Sequence, residues 1–315
     1  MLYNDKLKKE FIEYLVAQGN SLTIESVANR YFSTASVYEQ SLNKDLANFS
    51  MQEIIGLYKF VCTSSLEVLM QMNSLFNRYT YYCKDIGFID DNMNHFEEVS
   101  YDTMKLCINA VKVSGSIISR KELIRLSKGF LNASDSFLCL AIFEGLSGTG
   151  FSDLINLEMS HFKNHKVYLD SGRVLDVSPE LEDFAEESAQ TYEFRSPKLT
   201  SNLYYNKNDN RILKDLCNTR TTNITEDRGR INLVHKLTRL RQRTECDALT
   251  YGHLTESGRI HMIKTFMKQD KEDNPRKVMS AHRDEITTRY NKIASYNRYL
   301  LKYSDYLINN SKISI

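Results

Sequence analysis

The chain has 315 residues, 42% of them hydrophobic, and a formal net charge of +1. That length fits two domains with real cores, and no apolar run approaches the roughly 20 residues that span a bilayer. Met1-Leu-Tyr-Asn-Asp-Lys6 has no basic start followed by an apolar stretch, so no secretion signal and a cytoplasmic location are expected.

The small net charge hides an asymmetry. Residues 1–97 hold 8 Lys+Arg against 12 Asp+Glu, and residues 98–197 hold 10 against 15. Residues 198–298 hold 21 against 12, a net of +9. A positive field gathered in one third of the chain points to a polyanionic partner more than the total charge does. The cysteines, Cys62, Cys83, Cys107, Cys139, Cys217 and Cys246, lie far apart with no Cys-x-x-Cys pair. They read as buried free thiols of a reducing compartment.

Taken in order, the elements read as mainly α with a small antiparallel hairpin or sheet. Leu7, Phe11, Ile12, Leu15 and Val16 form one apolar helical face near the start. Ser50-Met-Gln-Glu53, Ser64-Ser-Leu-Glu67 and Ser119-Arg-Lys-Glu122 are capping boxes that start helices. After Ser64, apolar residues recur at Leu66, Leu69, Met70, Met72 and Phe76. Gly115 and Ser116 loosen Ser114–Lys121, which links two helical bodies. The expected domains are therefore 1–112 and 113–315. Lys166–Asp170 and Arg173–Val177 alternate apolar and polar residues around Ser171-Gly172, a hairpin pattern.

Residues 228–243 read as a basic amphipathic helix, with Ile231, Val234, Leu237 and either Leu240 or Leu233 as its apolar stripe. Lys236, Arg239 and Arg243 share another face, and Arg228, Arg230 and Arg241 add to the charge. Such cations neutralise phosphates, while arginine, Gln242 and Asn232 can address base edges in the major groove. Lys44, His253, Arg259 and Lys264 complete the expected DNA-contacting set, and Lys268, Lys271, Arg276 and Lys277 extend the field.

Two other patterns carry less. Gly145-x-x-Gly148-x-Gly150 has phosphate-loop spacing, but it follows a helical pattern rather than a strand. His161 and His165 lack a Glu or Cys at ligand spacing. No metal or cofactor is expected.

Glu144–Glu158 is the most informative stretch. Ser147, Gly148, Ser152, Asp153, Leu154 and Leu157 frame a turn that resembles the Thr-Gly-x-Arg-x-x-Glu-Leu-x-x-Leu signature of the tyrosine recombinases, or phage integrases. The stretch from Val37 to Phe49, which holds Tyr38 and Asp45-Leu46-Ala-Asn-Phe49, looks like that family's core-binding Tyr-x-x-Asp-Leu-x-x-Phe helix. The resemblance covers residues 10–295 and implies a helical, SAM-like core-binding domain followed by a larger catalytic-type domain.

It also locates the catalytic positions. The arginine that clamps the scissile phosphate falls on Gly150. The His-x-x-Arg motif falls on Gly252 and Thr255; in a shifted register it puts Arg259 at the arginine and Glu256 at the histidine. The hairpin lysine has only Lys166 and Arg173 nearby. The nucleophile motif falls on Thr287-Thr-Arg-Tyr290, with Ala281 or His282 at the preceding histidine.

Tyrosine attack on a phosphodiester needs cations on the phosphate and groups to move protons. One lost electrostatic donor commonly costs ~3–4 kcal/mol, so losing both arginines removes useful catalysis. The degenerate pattern most resembles the recombinase-fold master repressors of SPbeta-type Bacillus prophages. It implies a sequence-specific regulator that holds lysogeny at double-stranded operator sites. Self-association or a regulatory protein partner, a nucleoid location in a bacterial host and no membrane role complete that expectation. The alternatives are an active divergent integrase, with Tyr290 as nucleophile and Arg259 among its cations, and a helical interaction scaffold that does not bind DNA.

Overall fold

The computed structural model describes residues 2–19, 23–63, 65–90, 94–109, 115–196, 203–216 and 226–290. It divides into two compact units, Met1–Ser114 and Gly115–Ile315.

The first unit is helical: α1 (Asp5–Ala17), α2 (Thr23–Leu42), α3 (Met51–Val61), α4 (Leu66–Asp85) and α5 (Tyr101–Leu106). Its core gathers Phe11, Phe32, Phe76 and Tyr79, with edge-on rings at Phe11–Tyr79 and Phe32–Tyr79. The Ser50–Glu53 capping box starts α3, with both of its hydrogen bonds formed. Ser64 lies outside the described residues; α4 begins behind Ser65, whose side chain makes no cap.

The buried face of α1 is Lys8, Phe11, Ile12 and Leu15, while Leu7 is half-buried and Val16 exposed. Lys8 enters the core because Glu39, on α2, meets its ammonium with both carboxylate oxygens, at 2.7 and 2.6 Å. A buried ammonium is tolerated only when paired in this way. Tyr38 packs edge-on against Phe49, and Asp45 caps the 3₁₀ turn Leu46–Asn48.

The second unit is built around α7 (Ala133–Phe143), in which every residue from Ser134 to Phe143 is buried. It is packed by α6 (Arg120–Ser127), α9 (Pro179–Gln190), α10 (Glu226–Thr244) and α11 (Tyr251–Asp270). Ser119 caps α6 by accepting from the Glu122 amide. Between α7 and α9 come the short α8 (Ser152–Ile155) and an antiparallel sheet of β1 (Phe162–Lys163), β2 (Lys166–Tyr168) and β3 (Val174–Asp176). Val167 faces Leu175 across the β2–β3 pair, and both are buried while their neighbours are exposed. Strands β4 (Glu193–Phe194) and β5 (Leu203–Tyr204) form a second small ladder. Helices α12 (Pro275–Ala281) and α13 (Arg283–Tyr290) pack on α11 around Ile260, Ile263, Val278, Met279, Ile286 and Tyr290. No helix among the described residues is long and apolar enough to cross a membrane. Cys83, Cys107 and Cys139 are buried free thiols and Cys62 and Cys246 are half-buried; Cys217 lies outside the described residues.

Candidate nucleic-acid interface

The turn after α7 reverses the chain sharply. Gly145, Gly148, Gly150 and Phe151 all have positive φ, at 83°, 63°, 61° and 72°. Glycine takes that conformation without steric cost. The turn is held from α11, where the Tyr251 hydroxyl donates to the Gly148 carbonyl at 2.8 Å and the Tyr251 ring lies 4.8 Å from that of Phe151. At Gly150 a Cβ would stand 3.0–3.3 Å from the Arg230 guanidinium, which arrives from α10. Gly150, the position expected for the signature arginine, is therefore one against which the Arg230 side chain rests.

Arg173, at the exit of the hairpin turn, ties this region together. One arm of its guanidinium meets Asp153 at 2.5 Å. The other donates to the carbonyls of Gly145 at 3.2 Å, Thr288 at 3.1 Å and Arg289 at 2.7 Å. Arg289 reciprocates, donating to the carbonyls of Glu144 and Asp176. The Glu144 carboxylate accepts from Arg120 at 3.2 Å and from the Ser178 hydroxyl. Lys166, the other hairpin cation, pairs with Asp176 at 2.9 Å.

Tyr290 is 7% exposed and donates its hydroxyl to the Phe143 carbonyl at 2.8 Å. Burial pushes its phenol above the ordinary tyrosine value, and the nearby Arg289 and Arg259 oppose that shift. The Arg259 guanidinium sits 5.3 Å over the Tyr290 ring and is itself buried. Between them, α11 reaches α7 at Gly258, where a Cβ would collide with the Phe143 carbonyl and the Tyr290 hydroxyl. Thr255, one turn before Arg259 on the same helix, is buried with its hydroxyl on the Tyr251 carbonyl at 2.7 Å. Gly252 is exposed, with open space where a Cβ would stand.

Thus Arg259 and Tyr290 meet directly. Thr255 joins their neighbourhood to the turn through Tyr251, and Gly150 faces Arg230 instead. Ala281 is exposed, whereas His282 stacks on Phe266 at 3.9 Å and meets Asp270 at 2.8 Å.

Helix α10 buries Leu233, Leu237 and Leu240, at i, i+4 and i+7, together with Gly229. Ile231 and Val234, expected in the apolar stripe, are instead 53% and 46% exposed. Both sets satisfy helical spacing, and packing on α7 and α8 selects the leucines. Arg228, Arg230, Asn232, Arg239, Arg241, Gln242 and Arg243 are exposed. Lys236 is half-buried, held by Asp135 at 3.3 Å and the Ser134 hydroxyl at 2.7 Å. Arg243 lies 3.7 Å from Asp135, and Arg241 lies 3.3 Å from Asp247.

The other expected contact residues fall elsewhere. The His253 ring meets the Asp247 carbonyl at 2.8 Å. Lys264 is half-buried, and burial lowers its pKa. Lys44, in the first unit, pairs with Glu53 at 2.8 Å. His161 lies 3.3 Å from Asp170 and His165 lies 2.6 Å from Glu182.

Two family models match in order along the chain. The one described as MrpR, N-terminal core-binding domain, covers residues 2–85. The one described as MrpR, C-terminal catalytic domain, covers residues 117–315, more than half of the sequence. The chain belongs to the MrpR family. A core-binding domain followed by a catalytic-type domain is the tyrosine recombinase architecture, and this mostly helical chain with small antiparallel sheets has that fold. Among solved structures the chain is similar to a lambda integrase(75-356) dimer bound to a COC' core site, at 12% identity, 95% coverage of each chain and a TM-score of 0.45. No curated protein matches.

In this MrpR-family chain Arg173 and Arg289 tie the turn, the hairpin and the end of α13 together, a role the sequence did not show. Arg173 was visible only as a cation near the hairpin, and Arg289 only as the neighbour of Tyr290. A guanidinium carries five donors in a planar fork against the three of an ammonium, so it can meet a carboxylate and several carbonyls on different sides at once.

Proposed function

We propose that this chain is a sequence-specific, double-stranded DNA-binding regulator, a prophage repressor that maintains lysogeny with a recombinase fold that no longer cuts. It works in the bacterial cytoplasm on the nucleoid. Residues 1–112 and 113–315 form a core-binding arm and a catalytic-like body that grip the duplex together. Arg228, Arg230, Arg239, Arg241 and Arg243 form the phosphate-contacting surface with Asn232 and Gln242, and Lys44 serves from the first arm.

The observation that carries the reading is a contrast within the second unit. The Tyr290 hydroxyl is committed to the Phe143 carbonyl, while α10 presents exposed arginines with no carboxylate anywhere from 228 to 244. A nucleophile must reach a phosphorus atom and lose a proton, and burial with a raised pKa opposes both. Phosphate neutralisation needs only exposed cations, and it releases counterions.

Retention of the full chain on mixed-sequence duplex DNA, titrated with salt, tests the binding half: a steep fall in affinity is expected. A nicked suicide substrate tests the other half, and no covalent adduct is expected. The Arg259–Tyr290 contact favours one second reading, a divergent integrase. An adduct that disappears in Tyr290→Phe would establish that reading instead.

A further inference from the structure

The exposed side of α10 carries a row that the phosphate-contacting arginines do not use. Ile231 and Val234 are 53% and 46% exposed, and Thr238 continues the row at i+7 from Ile231. The Thr238 hydroxyl is turned back onto the Val234 carbonyl at 2.9 Å, which leaves its methyl as the group free for an outside partner. At about 100° per residue the three side chains project in one band, away from buried Leu233, Leu237 and Leu240. Arg230 and Arg241 project on one side of that band, and His235, Arg228 and Arg239 project on the other. The apolar row therefore runs between two rails of positive charge.

The charge decides the occupant. A protein partner would have to be strongly acidic. Two exposed aliphatic side chains are also a small part of the roughly 800 Å² per partner that a stable interface buries. A polyanion with apolar groups set between two lines of phosphate fits the row and both rails. The major groove of B-DNA is about 12 Å wide, admits a helix and displays the C5-methyl of thymine between its phosphate walls. Double-stranded RNA offers neither feature, because its major groove is deep and narrow and the methyl is absent from uracil.

We infer that Ile231, Val234 and Thr238 form a thymine-reading face, which docks in the major groove and selects operators with thymine at neighbouring positions. The inference rests on the DNA-binding reading above and gives it a base preference. Apolar side chains contribute here by burying methyl groups, a contact that a phosphate-bound arginine cannot make and that carries sequence information.

The test uses the full-length chain and 30-bp duplexes that it enriches from a randomised pool. The best duplexes are resynthesised with deoxyuridine replacing one thymine at a time, which removes only the methyl. Uridine at two or three adjacent positions is expected to weaken binding roughly three- to fivefold each, the effect of burying about one methyl group. Ile231→Ala and Val234→Ala, both at exposed positions, should each become insensitive to uridine at one of those positions.

Uniform tolerance of uridine in a selected duplex overturns the thymine face and leaves DNA binding intact, as does retention of the pool without any enriched sequence. No retention of any duplex at low salt overturns both readings. If Ile231→Ala and Val234→Ala change the oligomeric state and leave DNA affinity unaltered, the row is a protein interface and the inference is wrong.

Discussion

The hydroxyl of Tyr290 donates to the carbonyl oxygen of Phe143 at 2.8 Å, which fastens the end of α13 to the end of α7. The ring lies beneath the Arg259 guanidinium at 5.3 Å, so the two candidate catalytic groups meet as a cation–π pair. Tyr290→Phe removes one buried hydrogen bond and leaves a carbonyl oxygen unpaired. The expected cost is about 1–2 kcal/mol in the unfolding free energy of the second unit, read by urea denaturation. Affinity for mixed-sequence DNA should not change, since the phenol is shielded. A tenfold loss of affinity would mean that the phenol reaches the duplex.

What the sequence revealed and what it hid follow from how local each feature is. The turn from Ser147 to Leu157 and the hairpin around Gly172 are short-range patterns, and both were legible. The basic helix was legible too, but its inward face was not. Ile231 with Val234 and Leu233 with Leu237 both fit a helical period, and only contact with α7 and α8 separates them. Pairings across long separations left no mark in the sequence. Lys8 finds Glu39 31 positions away, and Arg173 reaches the Arg289 carbonyl 116 positions away. The resemblance places Gly150 at the expected arginine position, but the approach of Arg230 to it depends on the packing of α10.

Arg173 and Asp153 are 10% and 5% exposed at their side chains and meet at 2.5 Å. Removing one member of such a pair leaves an uncompensated buried charge, at about 3–5 kcal/mol. Arg173→Ala should therefore unfold the second unit at markedly lower urea, and it also deprives the Gly145, Thr288 and Arg289 carbonyls of a donor. Arg173→Lys should recover only part of the loss, because an ammonium cannot fork to a carboxylate and three carbonyls together. Full recovery by lysine would show that charge alone matters there.

His282 offers a pH signature. Its hydrogen bond to Asp270 is the largest cause raising its pKa above the ordinary histidine value, and Glu285 adds to the shift. A basic group with a raised folded-state pKa adds stability that is complete below about pH 6.5, the unfolded value. That stability is lost as pH rises through the higher folded value. The melting temperature of the wild-type chain should exceed that of His282→Gln most at about pH 6, and the gap should narrow as pH rises beyond the ordinary histidine range. The contribution is modest, under about 1 kcal/mol, because the group is near the surface. A gap that widens with rising pH would contradict the assignment.

Gly150 and Arg230 give the sharpest test of whether the turn after α7 matters for DNA. Gly150 has φ of 61°, and a Cβ there would press on the Arg230 guanidinium at 3.0–3.3 Å. Gly150→Ala should cost about 1–2 kcal/mol for the left-handed backbone alone. It should also displace an exposed arginine that the DNA-binding reading uses. Gly150→Arg places an arginine where the resemblance puts the signature arginine, but it meets both obstacles, with a second like charge facing Arg230. No strand cleavage is expected from it, since Tyr290 remains sealed against Phe143. DNA affinity should fall in both variants, and Arg230→Ala should reproduce most of that fall without the loss of stability. If Gly150→Arg instead forms a covalent adduct with nicked DNA, the missing guanidinium was the only barrier to catalysis, and the chain is one substitution away from an active recombinase.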